Sequence, residues 1–83
     1  MTRLYRWHAE TVEGGRLILW GIVTGHRKLP DGMSIHTSPV LSVFRDPEKE
    51  DGYVFKTKNS EFHVSLADCD YAQCMIASNE DIP

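Results

Sequence analysis

The sequence predicts a mainly β fold: a small twisted antiparallel sheet or partly rolled barrel with one C-terminal helix. Three observations carry this. Arg16–Thr24 (RLILWGIVT) is rich in β-branched and aromatic residues and flanked by breakers. Tyr53–Lys58 and Glu61–Leu66 alternate apolar and polar residues across a short polar link. From Asp68 onward the spacing of Tyr71, Cys74 and Met75 changes to that of a helix face.

The elements follow in order. Arg3–Glu10 reads as a strand, with Leu4, Arg6 and His8 on one face and Tyr5 and Trp7 on the other. Thr11–Gly15 is a turn. Arg16–Thr24 lacks alternation, as a central strand buried on both faces does, and Gly21 marks a bulge or a close backbone approach. Gly25–Met33 is a polar loop whose Pro30-Asp31-Gly32 supplies turn chemistry: a preset φ, a side chain that bonds its own backbone, and a residue free to take positive φ.

Ser34–Arg45 resumes β character, broken by Pro39, which has no N–H for a ladder. Asp46–Gly52 is an acidic hairpin tip. Tyr53, Phe55 and Thr57, then Phe62, Val64 and Leu66, are predicted to face the core, with Lys58-Asn59 forming the turn between them. Asp68 is the expected N-cap of the closing helix, with Asp70 in its first turn. Trp7 and Trp20 are expected in the core or at a subunit interface.

The chain has 83 residues, 41% hydrophobic and 25% charged, which suits one domain spanning 1–83. At this size roughly 60–65% of the unfolded surface is buried, so a homo-oligomer is expected on grounds of marginal monomer stability. The longest apolar run, Leu17–Val23, is far short of the ~20 residues a bilayer requires, and no signal-peptide pattern is visible. The expected location is the cytoplasm. Cys69 and Cys74 read as free thiols of a reducing compartment: on a helix they would stand roughly 8–9 Å apart, too far for a disulfide.

Net charge is −3, which argues against a general binder of polymeric nucleic acid. The distribution is lopsided. Residues 1–45 hold six Lys/Arg against three Asp/Glu, and residues 46–83 hold three against nine.

An antiparallel meander of 16–24, 35–45, 53–57 and 61–66, the short-connection default, brings one set of loops to one end of the sheet. These are Gly25–Asp31, Thr37-Ser38 and Thr57–Ser60. That end collects Arg27, Lys28, Lys56 and Lys58 against Asp31 and Glu61, while the acidic Asp46–Asp51 loop lies at the other. A basic, hydroxyl-rich rim fits an anionic, phosphate-bearing ligand, because Arg and Lys give charge-assisted hydrogen bonds and Ser/Thr hydroxyls add donors without further charge. The candidate ligand-binding residues are His26, Arg27, Thr37, Ser38, Asn59 and Ser60. Taken singly, each also has a plain structural role in a turn or around Pro39.

No catalytic or metal-binding set is expected. The four histidines, His8, His26, His36 and His63, share no recognised ligand spacing. Ser38 lacks the setting of an activated nucleophile, and no cofactor is implied.

The run Gly21-Ile-Val-Thr-Gly-His-Arg-Lys-Leu-Pro-Asp-Gly-Met-Ser-Ile-His-Thr-Ser-Pro-Val40, with Thr57-Lys-Asn-Ser60 and Phe62-His-Val-Ser-Leu66, resembles a group of small phage and prophage proteins. The resemblance covers about half the chain. It departs from the group in the more basic Arg27-Lys28-Leu29 and in Phe62, where tyrosine is usual. By analogy of size and chemistry it is also similar to the anti-Thoeris and anti-CBASS sponges. These are phage anti-defence proteins that sequester nucleotide immune signals, and the analogy implies a non-enzymatic oligomer that binds a cyclic nucleotide or ADP-ribose derivative. Two other classes remain open: an inhibitor of a host defence complex, anti-CRISPR-like, whose acidic half mimics nucleic acid, and a small hydrolase using His26 or His36.

Overall fold

The computed structural model describes residues 1–70. Its strands are β1 (Arg3–Val12), β2 (Arg16–Thr24), β3 (Met33–His36), β4 (Ser42–Arg45), β5 (Gly52–Lys56) and β6 (Glu61–Ser65). Short 3-10 turns occupy Glu13–Gly15 and Leu66–Asp68. The fold is mainly β, as predicted: one six-stranded sheet in the order β3-β2-β1-β6-β5-β4. No helix among the described residues is long and apolar enough to cross a membrane.

The sheet is mixed rather than antiparallel, and it is not closed. β1 runs parallel to β6, with Arg3 opposite His63, whereas every other neighbouring pair is antiparallel. The expected meander is therefore wrong. The N-terminal strand inserts between β2 and β6, and the stretch 35–45 is two strands at opposite edges of the sheet. Pro39, with no N–H to give, interrupts the regular β3 ladder, although the chain stays bonded to β2 as far as Val40. The chain then crosses over: Thr37 N–H and Val40 N–H bond the carbonyls of Leu19 and Leu17 on β2, and Leu41 N–H bonds Lys56 on β5. Two consecutive amides thus tie both wings of the sheet, which rolls it around the core.

The core comprises Leu4 and Trp7 of β1, Leu19 and Val23 of β2, Phe55 of β5, and Phe62 and Val64 of β6. Trp7 packs its ring 5.6 Å from that of Phe55 and donates its indole N–H to Ser65 O at 2.7 Å. Leu4 and Trp7 share the core face, unlike in the simple alternation expected for this strand. The register of β1 slips between Tyr5 and His8, and Arg6 takes φ 49° there. This bulge turns both Tyr5 and Arg6 outward. Gly21 of β2 faces it, and a Cβ at Gly21 would stand 3.1 Å from Tyr5 O and 3.2 Å from Leu4 Cβ. The close approach read from the sequence at Gly21 has this origin.

β2 is buried on one face rather than both: Leu19 and Val23 are inaccessible, whereas Ile18, Trp20 and Ile22 are half-buried. On that second face Trp20 lies between His8, 6.3 Å away and nearly parallel, and His36, 4.9 Å away, and gives its N–H to Glu10. Leu66, expected inside, is 39% exposed because the 3-10 turn ends the alternation.

The predicted C-terminal helix is not shown. Asp68 closes the 3-10 turn instead of capping a helix, its carboxylate accepts the Arg6 N–H at 3.0 Å, and Cys69 is extended. Asp70 N–H then bonds Trp7 O. The rest of that expected helix, including Tyr71, Cys74 and Met75, lies outside the described residues.

Candidate functional site

The β2–β3 loop owes its shape to the turn residues noted in the sequence. Asp31 accepts the Gly25 N–H at 2.8 Å, and Gly32, at φ 89°, returns its N–H to Val23 O. Within the loop, His26 Nδ1 accepts the Lys28 N–H at 3.0 Å, so a neutral His26 carries its ring proton on Nε2. Across from it, Thr57 and Ser60 close the β5–β6 hairpin through Thr57 N–H and Oγ1, both donating to Ser60 O.

These segments border one cleft of about 950 Å³, at the upper end of the ~300–1,000 Å³ typical of small-molecule sites. His26, Arg27, Lys28 and Leu29 form one wall, and Asn59, Ser60, Glu61 and Phe62 the other. Ile35, His36, Thr37 and Ser38 run along the cleft from β3 into the crossover, and Thr2 and Thr57 complete the lining. All six candidate residues named from the sequence border this cleft. The topology that brings them together differs from the expected one: the hairpin reaches the β2–β3 loop because the sheet is rolled.

Their surroundings separate them. Arg27, Lys28, Ser38 and Asn59 are exposed, and His26 and Ser60 are half-buried. Among the described residues the only cation–carboxylate pair is His63–Asp46, so Arg27 and Lys28 face the cleft mouth without a carboxylate partner. Thr37 is 4% exposed, and its hydroxyl is committed on both sides. Oγ1 accepts the Leu19 N–H at 3.0 Å and donates to Ser38 O at 2.8 Å. Thr37 thus extends the ladder with its side chain and positions Ser38.

Lining residues that the sequence did not point to are Thr2, Leu29, Ile35, His36 and Phe62. Phe62 was placed in the core, where it is, but as the first inward residue after the hairpin it also reaches the cleft. Its ring meets that of His26 at 6.3 Å with planes 19° apart, which joins the two walls. Lys56 and Lys58, expected on the rim, are not among the lining residues.

The acidic turn lies at the other end of β5. It is more ordered than a solvated tip. Asp46 Oδ1 accepts the Glu48 N–H at 2.9 Å, and Oδ2 lies 3.3 Å from His63 Nδ1. These bonds, the Glu48 amide first, hold the Asp46 carboxyl below the usual carboxylate range. Asp51 is lowered in the same way by the Ser65 hydroxyl at 2.6 Å and then by the Ala67 N–H. Among the described residues no three His, Cys, Asp or Glu side chains form a metal-binding group.

Comparison with protein-family models, with curated proteins and with solved structures finds no match.

Proposed function

We propose that this chain is a non-enzymatic phage anti-defence module that sequesters a phosphate-bearing nucleotide immune signal, a cyclic nucleotide or an ADP-ribose derivative, in the host cytoplasm. One observation carries the reading. Two segments distant in sequence, 26–38 and 57–62, border one cleft that holds two cations and several polar groups with no carboxylate or side-chain partner among the described residues.

The chemistry divides along the cleft. Arg27 and Lys28 take phosphate oxygens, Arg27 as a bidentate fork and Lys28 as a point charge. The Ser38 and Ser60 hydroxyls and the His26 Nε2–H add neutral donors. The Asn59 amide offers both a donor and an acceptor for a base edge, and the Glu61 carboxylate accepts from base N–H groups. The stacked rings of His26 and Phe62, where the two walls meet, provide an aromatic surface against which a base packs. Thr37 positions Ser38 and does not itself contact the ligand. Binding without turnover depletes the signal. The phage setting rests on the resemblance of the 21–40, 57–60 and 62–66 runs.

Calorimetry against cyclic dinucleotides, cyclic trinucleotides and ADP-ribose derivatives tests this. Saturable heat with one of them, lost in Arg27→Ala and with the ligand recovered chemically intact, is the expected result. Absence of heat across the panel at protein concentrations well above micromolar would remove the reading, and recovery of a cleaved ligand would replace it with the hydrolase.

A further inference from the structure

β4 is an edge strand whose outer edge no other described residue covers. All four of its residues are exposed, Val43 at 47% and Phe44 at 45%, and Leu41 just before it is 69% exposed. Edge strands of monomeric proteins are ordinarily blunted by Lys, Pro or an inward charge. Ser42-Val43-Phe44-Arg45 is short, but it has no Lys, Pro or inward charge. Its one charged group, Arg45, is folded back, donating to Glu50 O at 2.8 Å and lying 5.9 Å over the Tyr53 ring.

The ladder fixes which backbone groups are free. Asp46 N–H bonds Gly52 O, so Phe44 opposite Val54, and Ser42 opposite Lys56, are the hydrogen-bonded pairs with β5. Val43 and Arg45 therefore turn their N–H and C=O groups outward, where no described residue meets them.

We infer that β4 pairs antiparallel with β4 of a second copy about a two-fold axis at Phe44, making one continuous sheet across a homodimer. The register selects itself. Outward groups can meet only with the axis at Val43, Phe44 or Arg45. An axis at Arg45 sets guanidinium against guanidinium, which is destabilising. An axis at Val43 sets Arg45 against Leu41, whose N–H already bonds Lys56. The axis at Phe44 sets Val43 against Arg45 of the second copy in both directions, so every outward group of these residues is satisfied. It also stacks Phe44 on its own symmetry mate in the closer, non-hydrogen-bonded position. Ser42 then faces Asp46, and no like charges oppose. The interface is isologous and closed, so assembly stops at two. It specifies the second copy expected from chain size and stands independently of the ligand reading.

Sedimentation equilibrium of the full chain tests it, together with amide hydrogen exchange followed by NMR over a concentration series. The dimer has twice the chain mass, and Phe44→Lys, an exposed substitution that places like charges on the axis, returns it to the monomer with its β spectrum intact. In the wild type the amides of Val43 and Arg45 exchange about tenfold or more slowly as concentration rises through the dimerisation range, while that of Phe44, already bonded to β5, does not change. A wild-type monomer at millimolar concentration would overturn the inference. So would a dimer that survives Phe44→Lys, or Val43 and Arg45 amides indifferent to concentration.

Discussion

His26 and Phe62, from opposite walls of the cleft, stack their rings 6.3 Å apart with planes within 19°. The two residues differ in what they support. Phe62 is 4% exposed and belongs to the core, while His26 is half-buried in a loop. Phe62→Ala should cost about 3–5 kcal/mol, as large-to-small core changes do, and denaturant titration should show a marginal or unfolded protein. His26→Ala should cost less than about 1 kcal/mol in the same titration, its effect falling instead on affinity for the proposed nucleotide.

Thr37→Val replaces a hydroxyl that bonds the Leu19 amide with a methyl group. The Leu19 N–H is left buried without that partner, at a cost of about 1–3 kcal/mol, whereas Thr37→Ser retains the bond and most of the stability. Urea denaturation of the pair distinguishes a positioning hydroxyl from an idle one. Equal losses for the two variants would contradict the assignment.

Gly21→Ala tests the β1 bulge. The new Cβ would meet Tyr5 O at 3.1 Å and the Leu4 and Trp7 Cβ atoms at 3.2 and 3.3 Å, so β1 must shift as a unit. Overpacking of this kind costs about 1–3 kcal/mol. A thermal midpoint unchanged by the substitution would show that the bulge yields freely.

Acid sensitivity should come from the 46–51 turn. Asp46 and Asp51 both have folded pKa values below their unfolded ones, through the Glu48 amide and the Ser65 hydroxyl respectively. A depressed carboxylate contributes stability that is fully present above its unfolded pKa of about 4 and is lost as pH falls through the folded value. Thermal melts should therefore hold level from pH 6 to about pH 5 as far as these groups are concerned and fall below about pH 4. Asp51→Asn should flatten that fall, and a slope unchanged by it would contradict the account.

Local chemistry made much of this fold readable. β2, β5 and β6 declare themselves through β-branched content and alternation, and the Pro30-Asp31-Gly32 turn through residues with one conformational purpose. Arg27 and Asn59 border one cleft for a reason the sequence did not carry: the sheet rolls, whereas the meander expected to join them is absent. The parallel pairing of Arg3 with His63 had no such trace, since a ladder between strands so far apart in sequence leaves no periodic mark on either. The bulge at Tyr5 and Arg6 was hidden for a related reason: an extra residue is visible only against its partner strand, here at Gly21. Pro39 signalled a break, but not that Leu41, two residues on, would bond the opposite wing. The cleft residues were found through loop chemistry, and Phe62 was missed because an inward apolar residue reads as core alone.

In the proposed function, segments 26–38 and 57–62 grip phosphate from the two sides of one cleft. Backbone amide shifts of the labelled protein, titrated with the cyclic nucleotide or ADP-ribose derivative that gives heat, test it most directly. Saturable shifts are expected at Arg27, Lys28, Ser38, Asn59 and Ser60, weakened by added salt as charge-assisted contacts are. Shifts confined to the 46–51 turn, or none anywhere along the chain, would contradict it.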